Sequence, residues 1–149
     1  MSTETEERYG DLPSVSDLRT QSLSSGDNAD LREINVRCAS LYVILASIFE
    51  EQGASEDDTT AMAQAVNAFV GAAYQYSIMN KRLTPDGADI EMTKVMTDVR
   101  RYADLVVERI AENEWQEGNP ILEDTAIAGD LAVCSRLAEK IPASPPPLS

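Results

Sequence analysis

Proton transfer, metal binding and nucleophile activation at neutral pH usually involve histidine, and none of the 149 residues is one. That removes the common general base, the commonest transition-metal ligand and the partner of Ser-His and Cys-His nucleophiles. Zinc would have to be held by two cysteines and carboxylates, and Cys38 and Cys134 stand 96 positions apart rather than in a C-x-x-C pair. The carboxylates cluster in "EEQGASEDD" and "ENEWQEGNPILED". Glu112 and Glu123 are an acid-base or calcium candidate, but neither cluster has EF-hand spacing, nor does "DGADIE" at 86–91. Solvated helix ends account for them. The seven glycines stand singly, so no phosphate loop is present. No cofactor or metal is expected, and no residue is assigned a catalytic role.

The elements that would position these groups read as helices. Residues 1–28 are polar and acidic, with Tyr9, Leu12, Val15, Leu18 and Leu23 as scattered apolar points. They read as a mobile arm, with a short docked turn near "SVSDLRTQSL" as the alternative. From Asn28 or Asp30 a helical stripe follows: Ile34, Cys38, Leu41, Leu45 and Ile48. Twelve consecutive residues within it, Cys38 to Phe49, carry no charge. They rise about 18 Å as a helix, too little to cross a bilayer, and Arg37 and Glu50 read as the points where the helix meets water.

Gly53 stops that helix, and Ser55 caps a second with an acidic first turn. The second helix carries Met62, Val66, Phe69, Ala73, Tyr76 and Leu83, and "TPDG" at 84–87 reads as a turn with Pro85 at its second position. The third carries Met92, Met96, Val99, Ala103, Val106 and Ile110. A fourth, opened by Pro120 or capped by Asp124, carries Ile127, Leu131, Cys134, Ala138 and Ile141 and is ended by Pro142. The expectation is all-α: an antiparallel up-down-up-down four-helix bundle over residues 29–141, with a Pro-rich tail at 142–149. That tail reads as extended and exposed.

In such a bundle the first and last helices are neighbours. Cys38 and Cys134 then lie about 12 Å and 10 Å from the same end, both on apolar stripes. A disulfide tying the last helix to the first is one reading. Two buried, reduced cysteines acting as small hydrophobes is the other.

Function is bounded mainly by charge. Twelve Lys and Arg against 26 Asp and Glu give a net charge of −14, which opposes phosphate backbones and anionic lipid. Direct nucleic-acid binding is not expected, and no membrane span is. Trp115, the single tryptophan, is a candidate partner contact or a plug for the end of its own bundle. The expected function is non-enzymatic: an acidic helical subunit or accessory factor that binds an unidentified protein. The alternative is an acidic inhibitor that imitates nucleic acid and blocks a DNA- or RNA-binding partner. A hydrolase or metal enzyme working with carboxylates alone is the third reading. The opening "MSTETEERYG" has neither a basic n-region nor an apolar h-region, which favours the cytoplasm by default. A bonded cysteine pair would favour the periplasm or the extracellular space instead.

"CASLY" in the first helix, with "GDLAVC" and "LAEKI" in the last, resembles small helical proteins of bacteria and phages that carry one cysteine in each of those helices. The resemblance spans residues 34–141. It implies an all-helical fold and a bridge between Cys38 and Cys134, and it implies no activity.

Overall fold

A computed structural model describes residues 7–79, 81–114, 119–121 and 123–140. The described chain is all-α, with five helices where four were expected and no strand among the described residues. A 3-10 turn at Tyr9–Asp11 leads into α1 (Val15–Ser25). Next come α2 (Asn28–Glu51), α3 (Glu56–Ile78), α4 (Pro85–Asn113) and α5 (Thr125–Glu139).

Every helix opens on a side-chain cap that accepts from an otherwise orphaned backbone N–H. The caps are Ser14, Asp27, Ser55, Thr84 and Asp124. Thr84 corrects the reading of "TPDG" as a turn. Its hydroxyl accepts from Gly87 N at 3.0 Å, and Pro85 sits in the first turn of α4, where its missing N–H costs nothing. After α2, Gly53 adopts φ 77°, which lets the Ala54 N–H donate to the Phe49 carbonyl at 2.9 Å and closes the helix. Asp124 rather than Pro120 opens α5, so the last helix has 15 residues against 24, 23 and 29 for α2, α3 and α4.

Residues 9–25 are docked, and the "SVSDLRTQSL" stretch read as a short docked turn lies in a helix of 11 residues and its cap. Tyr9, Val15 and Leu18 are buried, and α1 packs on α2 and α5. Too few apolar residues lie in this stretch to fold it alone, and its helix is stabilised by contacts made far along the chain.

The hub of the fold is α2, which packs against each of the other four helices. Along α2 and α3, Arg32 meets Ser77 and Tyr42 meets Phe69, so positions advance on one helix as they retreat on the other. The two form a helical hairpin. The sealed core gathers at its base, on residues 34–42 of α2 and 69–77 of α3, with Val95, Val99 and Val106 from α4 and Ile127 and Val133 from α5.

Candidate functional site

At the centre of the core, α2 presents Arg37 and α5 presents Asp130, only 1% and 2% exposed. Arg37 Nη2 donates to Asp130 Oδ2 at 2.9 Å, and Nη1 donates to the Pro13 carbonyl at 2.7 Å. Asp130 also accepts from the Tyr9 hydroxyl and from the Val15 backbone N–H, the latter at 2.8 Å. One buried carboxylate therefore holds both ends of the segment that links the 3-10 turn to α1. The guanidinium lies between two rings, 5.1 Å from the centroid of Tyr9 and 5.5 Å from that of Tyr102. The Tyr102 hydroxyl in turn donates to Glu33.

Burial raises the Tyr9 phenol well above its ordinary value, and the neighbouring Asp130 charge adds to the shift against the opposing pull of Arg37. Tyr102 is raised by burial and by its bond to Glu33. Arg37 was read as a point where α2 meets water, and the structure corrects this. Arg37 stands three residues after Ile34 and four before Leu41, so helical geometry turns it into the core with them.

The sulfurs lie against this polar node. Cys38 follows Arg37 directly, and Cys134 sits one helical turn after Asp130. They form a disulfide with Cα atoms 5.4 Å apart, and both residues are fully buried. The bridge joins the second helix to the fifth rather than the first to the fourth, because α1 precedes α2. Arg37, Asp130 and Tyr9 are all buried.

A second polar cluster closes the N-terminus of α5. Asp124 accepts from Arg109 Nε at 2.5 Å, from Asn113 Nδ2 at 2.6 Å and from the backbone of Ala126 and Ile127. Burial alone would raise its carboxyl, but the Arg109 and Asn113 bonds and the Ile127 N–H outweigh it and hold it below the usual carboxylate range. Glu112 and Glu123 line the same cleft of about 260 Å³. Among the described residues, no group of three Asp, Glu, Cys or His is arranged to hold a metal ion.

The distal half of the α2–α3 hairpin is different in kind. No residue from Val43 to Ala68 is buried. The uncharged run therefore divides: Cys38 to Tyr42 is sealed, whereas Val43, Ile44, Leu45 and Ile48 are partly exposed and Phe49 is 37% exposed. From Cys38 to Asn80 the chain has no Lys or Arg. Glu50, Glu51, Glu56, Asp57 and Asp58 surround the tip, all exposed and none ion-paired, while every salt bridge among the described residues lies elsewhere.

Trp115 and the proline tail lie outside the described residues. Among the described residues, no helix is long and apolar enough to cross a membrane. The resemblance to bacterial and phage helical proteins is matched only in the helical fold and the cysteine bridge. Comparison with protein-family models, with curated proteins and with solved structures finds no match for this chain.

Proposed function

We propose that the chain is a non-enzymatic accessory domain that binds another protein through the distal half of the α2–α3 hairpin. The observation that carries this reading is the burial of the most apolar stretch, sealed as far as Tyr42 and then left partly open to Phe49 at the tip. Contiguous apolar surface rimmed by charge is characteristic of protein docking sites. The sealing of Arg37, Asp130 and Tyr9 supports a structural rather than catalytic role for the polar node, since a substrate has no access to it.

A second reading is an acidic inhibitor that imitates nucleic acid. The uncompensated carboxylates at the hairpin tip favour it. A mimic's complex weakens steeply with salt, whereas apolar docking does not. The Cys38–Cys134 bond supports residence in an oxidising compartment.

Affinity capture with two baits tests the first reading, one wild type and one carrying Ile48→Gln and Phe49→Gln. Both sites are at least partly exposed, so the double variant keeps its melting midpoint within a few degrees. The expected result is a protein retained by the wild type and lost from the variant. A partner held equally by both baits refutes docking through the hairpin.

A further inference from the structure

We propose that the partner surface for the α2–α3 hairpin is cationic and apolar together, a helix or groove whose apolar residues alternate with Lys and Arg. This inference rests on the docking reading above and adds the chemistry of the occupant. The apolar component is the exposed Phe49 and the partly exposed Ile48 at the tip, with Val43 and Ile44 half-covered where they pack against the core.

The charge part is that a partner reaching this strip must pass five exposed carboxylates with no cation between Arg37 and Lys81. Elsewhere the chain offsets many of its acids internally, as in Arg32 with Asp98, Arg101 with Glu7 and Lys81 with Glu91. None of the five at the tip has such a partner among the described residues. A partner with Lys or Arg beside its apolar residues supplies the compensating charge and gains in approach rate as well as affinity. A second copy of this chain would bring its own acidic tip and a further net charge of −14, so like-charge repulsion opposes self-docking. Anionic lipid and nucleic acid are opposed for the same reason.

The test uses the intact oxidised chain and three synthetic helical peptides: Lys/Leu amphipathic, Glu/Leu amphipathic, and a Lys/Ser peptide with the same charge and no apolar face. Binding is read by titration calorimetry. Four proteins are compared. They are wild type, the Ile48→Gln/Phe49→Gln variant, a tip-neutralised variant and a remote-neutralised variant. The tip variant carries Glu50→Gln, Glu51→Gln, Asp57→Asn and Asp58→Asn. The remote variant carries Asp86→Asn, Asp89→Asn, Asp104→Asn and Glu108→Gln, all exposed sites on α4. Its net charge matches that of the tip variant, so the two separate a local from a global field.

The expected result is binding of the Lys/Leu peptide alone. It should weaken about tenfold on tip neutralisation and less than about threefold on remote neutralisation. The Ile48→Gln/Phe49→Gln variant should lose about tenfold as well. If the Glu/Leu peptide binds the wild type as well as the Lys/Leu peptide does, and the apolar variant loses it, docking through the hairpin stands and the cationic partner is overturned. Equal losses from tip and remote neutralisation also overturn it. If the apolar variant binds every peptide as the wild type does, the docking reading itself fails. Self-association abolished by Ile48→Gln/Phe49→Gln would make a second copy the occupant and overturn the proposal.

Discussion

Breaking the Cys38–Cys134 bond is a perturbation whose size follows from chain length. The bond joins residues 96 positions apart, and opening it restores to the unfolded chain the conformations that a closed ring forbids. The chain-entropy relation for a loop of this length gives about 16 cal/mol/K, or about 4.7 kcal/mol at 25 °C. An unfolding entropy of about 2.1 cal/mol/K per residue over 149 residues converts this into a fall in melting midpoint of about 15 °C.

The two sulfurs are also out of reach, because Cys38 and Cys134 are both 0% exposed. A thiolate can attack only after the helices around them open, so native protein should resist a dithiol reductant while protein in urea is reduced rapidly. Thermal unfolding of the oxidised chain, of the chain kept reduced, and of Cys38→Ala/Cys134→Ala measures the first effect. Thiol release with and without urea measures the second. A midpoint change below about 3 °C would refute the entropic argument, and native reduction as fast as in urea would refute the burial argument.

Two further predictions concern the polar clusters. Asp130→Asn leaves the Arg37 guanidinium buried without its counter-ion and should cost about 3–5 kcal/mol in urea unfolding; amide exchange in Val15–Ser25 should accelerate before that in α4, and a cost under about 1 kcal/mol would refute the assignment. The pH dependence has a sign at each end. Tyr9 and Tyr102 keep their protons in the folded state after the unfolded chain begins to release its own near pH 10, so stability is full below that pH and falls as pH rises. Asp124 is held low when folded, so its contribution is present above about pH 4 and is lost as pH falls through the folded value. Urea midpoints against pH for Tyr9→Phe, Tyr102→Phe and Asp124→Asn should each lose the matching slope.

Much of the fold was legible because helices declare themselves locally. Ser55 and Gly53 punctuate the chain where the backbone turns, and the apolar steps match buried faces at Ile34, Cys38 and Leu41 on α2, Phe69 and Ala73 on α3, Val99, Ala103 and Val106 on α4, and Ile127 and Cys134 on α5. The cysteines share apolar stripes, and that shared placement put them near one another. What escaped was tertiary. Tyr9, Val15 and Leu18 are too sparse to signal a helix, and only α2 and α5, distant in sequence, give them something to pack on. The polar node left a trace that periodicity could have caught. Arg37 sits on the stripe between Ile34 and Leu41, and Asp130 sits on the stripe between Ile127 and Cys134. Opposite charges on the buried faces of two helices are costly alone and tolerable together, which makes them a pairing signal. Pro85 was misread because the same dipeptide opens a turn and a helix, and only the Thr84 hydroxyl on Gly87 N decides between them.

The open stretch from Val43 to Ala68 also bears on how this protein can diverge. Within it, residues 46–61 lie outside the core cluster and the side chains packed against it, while the node and the sulfur bridge hold the helix base in place from elsewhere. Selection on the hairpin tip is thereby freed from selection on folding. Lineages that keep Arg37, Cys38, Asp130 and Cys134 can exchange the residues of the tip to follow a changing partner, and a common scaffold would then carry tips with little sequence in common.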